Sequence, residues 1–205
     1  MKLVYALFVA TLGANPLLAQ GPEKGMLLVA TPEIRDSRFS ETVILLLHYE
    51  SEGALGVAIN RPTWVDPSVA FPEMDFLQDY RGNIFVGGPV ARANLLLLAK
   101  GPDIDISDTE PIFEDIYFSA DSGFLRDVAA TADTDQGLRL YAGHASWEAG
   151  QLDREISAGH WLVIPARSDI VFAEDPLEIW QQVSALESEM TVRLPVRESA
   201  VASLP

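Results

Sequence analysis

The sequence predicts an α+β protein, a single compact domain with a largely antiparallel or mixed β-sheet core and flanking helices. Segments with the pattern of strands outnumber those with the pattern of helices, and the first pair of strands forms a hairpin. Links between consecutive strands are too short for repeated parallel crossovers, which need a dozen or more residues. A hydrophobic fraction of 48% with 21% charged residues is typical of a folded chain and not of a disordered one.

The first segment, residues 1–19, is predicted to be a secretory signal peptide. Lys2 supplies a positive charge, residues 3–12 are an apolar run, and Pro16 ends that run before the small residue Ala19. The alternative is an N-terminal membrane anchor, but a span needs about 20 apolar residues. We therefore expect cleavage after Ala19, a periplasmic or secreted protein, and no membrane span once the signal is removed.

The predicted domain covers residues 20–190, and most of its predicted elements are strands. Residues 42–49 and 54–60 are expected to pair as a hairpin around a turn that contains Gly53. Short apolar runs, or strict alternation of apolar and polar residues, predict the other strands. These other strands span residues 25–30, 83–86, 95–99, 103–110, 112–118, 138–142, 161–164 and 170–172.

Helices are predicted where apolar residues recur at intervals of three and four. Pro72 interrupts the helix predicted over 68–80, and Gly159 ends the helix predicted over 147–157. Pro176 suits the first turn of the helix predicted over 176–190. Residues 191–205 have no hydrophobic period and are predicted to form a flexible C-terminal tail. The predicted helices span residues 68–80, 122–131, 147–157 and 176–190.

Charge and cysteine content exclude several classes of function. The chain has 14 Lys and Arg against 30 Asp and Glu, which gives a net charge of −16. Cleavage of the predicted signal peptide would remove Lys2 and make the net charge −17. This balance weighs against direct nucleic-acid binding, because phosphate backbones are held mainly by clustered Lys and Arg. The absence of Cys excludes disulfides, thiolate zinc sites and cysteine nucleophiles.

The segment Gly143-His144-Ala145-Ser146-Trp147 suggests a catalytic motif but departs from its spacing. A nucleophile elbow has the pattern G-x-S-x-G, whereas Ser146 comes one position late and is followed by a large residue. We predict that Ser146 is instead the N-cap of a helix that starts at Trp147. His144 and Glu148 are four residues apart and could lie on one face of a helix. A zinc site needs three or four ligands, so this pair alone does not form one. We predict no metal site and no bound cofactor.

Gly87-Gly88-Pro89 is predicted to be a turn. It lacks both the G-x-G-x-x-G spacing of dinucleotide-binding loops and the Lys-Ser/Thr of a Walker A motif. Two glycines before a proline are typical of a turn. A close approach of the backbone to a ligand stays open as an alternative, because glycine permits it.

Four segments, taken in order, are similar to the YqgE/AlgH family of small bacterial proteins. They are Gly25–Pro32, Glu52–Pro62, Phe85–Val90 and Leu140–Leu152, the last of these accompanied by Glu155 and Trp161. The resemblance extends over roughly residues 25–183. It implies a compact α+β domain and a label of transcriptional regulator, given because some members affect alginate production. It implies no enzymatic mechanism, so no catalytic residue is transferred to this chain.

Two features set this sequence apart from typical members of the family. Many relatives have a cysteine where Leu47 stands, so redox chemistry proposed for that residue has no counterpart here. Typical members also look cytoplasmic, whereas this chain begins with a predicted export signal. An exported, strongly acidic protein is poorly suited to direct contact with a promoter.

Two functions from different classes follow. The first is a binding or regulatory module for an unknown protein or small molecule, because binding residues concentrate on loops. The alternative is a hydrolase that uses His144 with a nearby carboxylate, which requires a hydrogen-bonded partner in a cleft. The candidate binding residues are Asn60, Arg61, Pro62, Gly87, Gly88, Pro89, Gly143, His144, Ser146, Trp147, Gly150 and Gln151.

Overall fold

The computed structural model describes residues 21–78, 80, 82–101, 111–121, 123 and 137–192. Within these residues, eight strands form one sheet that is antiparallel except for one parallel pair. The strands are β1 (Met26–Ala30), β2 (Val43–Glu50), β3 (Gly53–Ala58), β4 (Ile84–Val86), β5 (Val90–Lys100), β6 (Ile116–Ser119), β7 (Leu138–Glu148) and β8 (Trp161–Pro165). Their order is β6-β5-β7-β3-β2-β1-β8, with β4 beside β7. The α+β prediction is confirmed.

The long strand β7 organises the sheet, because it pairs with three other strands. β5 runs antiparallel along one side, with Leu97 opposite Leu140. The other side is shared: β4 pairs in parallel with the first half of β7, and β3 pairs antiparallel with the second half, Ala54 lying opposite Trp147. Gly143, with a φ of +71°, sits where β7 passes from one set of partners to the other.

Four helices and two 3₁₀ turns complete the described structure. Asp66 caps the first helix by accepting a hydrogen bond of 2.9 Å from the Ser68 backbone N–H, and Asp175 caps the second 3₁₀ turn through Leu177. The helices are α1 (Pro67–Ala70), α2 (Gln151–Ser157), α3 (Ser168–Val171) and α4 (Ile179–Val192), and the 3₁₀ turns are Asp75–Gln78 and Pro176–Glu178.

Apolar side chains are buried on both faces of the sheet. On one face, Val171 of α3 and both Ile179 and Val183 of α4 pack against the sheet. On the other face, Leu152 of α2 packs with Trp147 and Trp161. Because helices cover both faces, the central strands carry runs of fully buried residues such as 43–47. Within the described residues, no helix combines the length and apolarity that a membrane crossing requires.

The predicted hairpin and most predicted strands are confirmed, but two elements are wrong. The helix predicted over 147–157 begins only at Gln151, because residues 145–148 pair with β3 as part of β7. The strand predicted over 170–172 is instead the single turn α3, since a short apolar run does not distinguish the two structures. The segment 68–80, predicted as a helix interrupted at Pro72, gives two short helical pieces on either side of that proline.

Several predictions fall outside the described part of the chain. These are the signal peptide over 1–19, the edge strand over 103–110 and nearly all of the helix over 122–131. The predicted tail over 191–205 also lies outside it, apart from the last two residues of α4.

Candidate ligand-binding groove

The carboxylate of Glu155 joins the end of β7, α2 and the start of β8. One of its oxygens accepts hydrogen bonds from the indole N–H of Trp147 at 2.9 Å and of Trp161 at 2.8 Å. The other oxygen accepts a bond of 2.9 Å from the side-chain amide of Gln151. Bonds to an ionised acceptor are stronger than neutral ones, so this carboxylate fixes both indoles.

Local sequence explains how α2 presents these groups. Gln151 and Glu155 are four residues apart, which places them on the same face of the helix. The helix starts after Gly150, whose φ of +66° is a left-handed conformation that glycine adopts at little cost. The Gln151 side-chain oxygen accepts from the Glu148 backbone N–H at 3.1 Å, so Gln151 ties the helix start to the strand end.

Three aromatic rings form the floor of this region. Trp147 and Trp161 meet edge to face with ring centroids 6.1 Å apart, and Phe39 meets Trp161 in the same way at 5.9 Å. Both indoles are almost entirely buried, with 7% of Trp147 and 3% of Trp161 exposed. Such pairs add stability beyond the burial of their area.

The loop before β2 supplies a charged wall. Arg38 donates to both carboxylate oxygens of Asp36, at 3.0 Å from Nε and 2.6 Å from Nη2. These bonds hold the pKa of the Asp36 carboxyl below its ordinary value, so it is ionised at neutral pH. The adjacent Arg35 makes no ion pair within the described residues, which leaves its charge available at the rim.

These elements enclose an open groove of about 350 Å³. One wall is polar and partly charged, while the floor is aromatic and aliphatic, which is the character of many small-ligand sites. The lining residues are Ile34, Arg35, Asp36, Arg38, Phe39, Pro89, Val90, Ser146, Trp147, Gln151, Glu155, His160 and Trp161.

The glycines at 87, 88 and 143 permit a close contact between two backbones. A side chain at Gly88 would lie 2.1 Å from the His144 carbonyl carbon, and one at Gly87 would lie 2.2 Å from the Gly143 oxygen. A side chain at Gly143 would in turn meet the Val90 oxygen at 2.6 Å. The backbone of Gly87 and Gly88 therefore lies directly against the backbone of β7. This contact places Pro89 at the edge of the groove.

Asn60, Arg61 and Pro62 lie outside the groove, and the first two contact the start of β2. The Asn60 side chain is buried, accepting from the Val43 backbone N–H at 2.9 Å and donating to the Glu41 carbonyl at 2.8 Å. The Arg61 guanidinium donates to the Thr42 hydroxyl, and its partial burial lowers its pKa. Pro62 forms an isolated bridge with Phe85. These three predicted binding residues therefore do not join the groove.

The two candidate catalytic side chains lie within β7. Ser146 is exposed in the strand and lines the groove, so its predicted role as the N-cap of a helix is wrong. His144 lies inside the strand, not at a junction with a helix, and burial lowers its pKa. Among the described residues, the His144 ring makes no hydrogen bond and no ion pair with a carboxylate or hydroxyl.

Of the predicted site residues, the structure brings Pro89, Ser146, Trp147 and Gln151 into one groove. Glu155 and Trp161 belong to the segments that resemble the family but were not among the predicted site residues. The spacing of Gln151 and Glu155 on one helical face was the available signal. Arg35, Arg38 and His160 were missed, because only the fold brings residues 35–38 against 146–161.

Comparisons with known proteins place the chain in a family. The AlgH-like family matches residues 27–190. A UPF0301 protein of Chlamydia muridarum is 30% identical over 162 residues, covering 78% of this chain and 84% of its own. A UPF0301 protein of Streptomyces coelicolor is 35% identical over 163 residues, covering 78% and 83%.

Two solved structures share the fold. The solution structure of the AlgH protein from Pseudomonas aeruginosa has a TM-score of 0.66 and 26% identity, covering 89% of this chain and 97% of its own. A crystal structure of a Corynebacterium diphtheriae protein has a TM-score of 0.67 at 24% identity, covering 87% and 90%, and supports the fold alone. The extent of the family match and the similarity of these relatives agree with the resemblance in the sequence, and the chain belongs to the AlgH-like family.

Proposed function

We propose that this protein is a non-catalytic binding module and that its ligand site is the groove between residues 34–39 and the segment 146–161. The observation that carries the proposal is the Glu155 carboxylate, which holds both indoles and Gln151 in one fixed arrangement. Side chains that are held before a ligand arrives lose little entropy on binding. Such a framework suits recognition of a small molecule or a short peptide segment.

The chemistry of the groove favours binding over hydrolysis. A hydrolase that works through a side-chain nucleophile needs that nucleophile hydrogen-bonded to a base that a third group orients. In the groove, the Glu155 oxygens already accept three bonds from the indoles and Gln151, and neither Ser146 nor His160 is paired with the other among the described contacts. The arrangement therefore supplies a shaped aromatic surface with charged side chains at its rim, and its described residues include no nucleophile hydrogen-bonded to a base.

A substitution that fills the groove tests the proposal. Ser146 is exposed on β7 and faces the groove, so Ser146→Trp is expected to block the groove while the fold is retained. Ser51→Trp adds the same ring at an exposed turn between β2 and β3 and is the matched control. A panel of metabolites and short peptides is screened by thermal shift against all three proteins, with indole fluorescence as a second readout.

We expect compounds that stabilise the wild-type protein and the Ser51→Trp variant but not the Ser146→Trp variant. Compounds that stabilise all three proteins equally would place binding elsewhere and overturn the proposal. Turnover of a bound compound, followed by mass spectrometry of the mixture, would favour the enzymatic alternative instead.

We also propose that the module acts outside the cytoplasm after removal of residues 1–19. The proposal rests on the charged, apolar and small residues of that segment. Intact mass and N-terminal sequencing of protein from a periplasmic fraction test it. A mature start at Gln20 is expected, and an intact Met1 in cytosolic protein would contradict export.

A further inference from the structure

A second cavity, of about 480 Å³, lies at the opposite end of β7 from the groove. Arg139 is the second residue of the strand and Trp147 the tenth, which separates the two sites by roughly 25 Å of extended chain. Lys100 at the end of β5, Arg139, and Ser168 at the start of α3 contribute hydrogen-bond donors to this cavity. Phe172 provides an apolar wall.

The Arg139 guanidinium is held in a fixed position. Its central carbon lies 4.9 Å from the ring centroid of Phe85 and 5.6 Å from that of Phe172. Nη2 donates a hydrogen bond to the Ala173 carbonyl. Contacts with two rings and one carbonyl restrict the side chain, so its donors are oriented before any ligand arrives.

The positive charge of Arg139 has no carboxylate partner among the described residues. Nη1 and the hydroxyl of Tyr141 are both buried and interact with each other without the geometry of a good hydrogen bond. Burial raises the pKa of Tyr141 to about 12, so the phenol is neutral and does not compensate the guanidinium. An uncompensated, partly buried cation is unfavourable, which favours an anion beside it.

Lys100 adds a second positive charge to the same cavity. Its ammonium donates to the Ser168 hydroxyl at 3.3 Å and has no ion pair in the described part of the chain. Two carboxylates also line the cavity. Asp169 pairs with Arg167 at 2.5 Å, and Glu174 makes no ion pair among the described residues.

We propose that this cavity binds the phosphate group of a small ligand. A guanidinium, an ammonium and a hydroxyl approach it from three different elements, which suits an oxyanion with several acceptor oxygens. The cavity is larger than a phosphate ion, and its apolar wall at Phe172 suits the remainder of a phosphate ester. The assignment is independent of the groove, because the two sites share no lining residue.

Titration of the full chain with inorganic phosphate, phenyl phosphate and acetate at constant ionic strength tests the assignment. Binding is followed by calorimetry and by NMR shifts of the backbone amides of residues 100, 139 and 168. Arg139 packs between two rings and its replacement endangers folding, so the test variant is Lys100→Gln at an exposed position. Arg154→Gln removes the same charge from an exposed site in α2 and is the control.

We expect saturable phosphate binding with shifts at those three amides, and weaker binding of acetate. The dissociation constant should rise about tenfold in Lys100→Gln, the usual effect of losing one charge-assisted hydrogen bond. It should stay unchanged in Arg154→Gln. Tighter binding of phenyl phosphate than of inorganic phosphate would identify a phosphate ester as the ligand, and equal binding would identify free phosphate. Absence of saturation, or equal affinity in Lys100→Gln and wild type, would overturn the proposal.

Discussion

At the scale of single residues, Trp147 and Ser146 show how one step along a strand separates two roles. Both residues line the groove, but the Trp147 ring is buried, packs on Trp161 and donates to Glu155, whereas the Ser146 side chain is exposed. Successive side chains of a strand point to opposite faces, so a single position decides between packing and exposure.

The Trp147→Ala substitution is expected to lower the free energy of unfolding by about 3–5 kcal/mol, the usual loss for a buried large aromatic. The substitution leaves a cavity in the core and removes the hydrogen bond from the indole N–H to Glu155, and both effects lower stability. Trp64→Ala is the matched control, because Trp64 is 82% exposed, and its cost should be within about 0.5 kcal/mol. Urea unfolding of both variants measures the difference. Equal stability of Trp147→Ala and wild type would show that the indole does not support this region.

At the scale of elements, the critical contact is between the backbone of Gly87-Gly88 and that of β7. The Gly87 N–H donates to the Ala142 carbonyl at 3.0 Å, and its own carbonyl accepts from the Ala58 N–H at 2.8 Å. This contact joins β3, β4 and β7 at the point where β7 changes partners. It also sets the position of Pro89 at the groove.

The Gly88→Ala substitution is expected to destabilise the protein by about 1–3 kcal/mol or more, because the added carbon would overlap the β7 backbone. Gly21→Ala is the control, since a side chain there would meet nothing within 4 Å. Thermal unfolding followed by circular dichroism compares the two. If Gly88→Ala melts at the wild-type temperature, the two backbones are not packed as closely as described.

At the scale of the whole molecule, the charge distribution is uneven. The chain carries a net charge of −16, yet Arg35 and Arg38 meet at the groove, and Lys100 and Arg139 meet at the second cavity. Small anions are compatible with such local sites. A nucleic acid needs a continuous basic surface, because its affinity grows with the number of phosphates that are neutralised.

We predict no measurable affinity for duplex DNA at physiological salt. The large excess of acidic residues repels the duplex over most of the surface, and two small clusters of cations do not offset that repulsion. An electrophoretic mobility shift assay at micromolar protein checks this expectation. A shift that weakens as salt is added would contradict it, since release of counterions would then accompany true binding.

The sequence by itself determined the fold class, the β2–β3 hairpin, the last helix and the family. These features depend on hydrophobic periodicity, short links and motif spacing, which are local properties of the chain. It also indicated part of the groove, because Trp147 and Gln151 lie in the most distinctive motif. The confirmed elements are those in which local pattern and tertiary packing favour the same structure.

Only the tertiary structure decided where β7 ends and which residues meet around it. Residues 147–150 have a pattern compatible with a helix, but residues 145–148 pair with β3 and remain in the strand. The helix α2 therefore begins only at Gln151. Likewise, the local sequence around Asn60 and Arg61 predicts an exposed loop, whereas in the fold both side chains form hydrogen bonds with the start of β2. Contacts between residues that are far apart in sequence set these outcomes, since long-range pairing overrides local preference. The same long-range packing brings Arg139 beside Lys100 and Ser168.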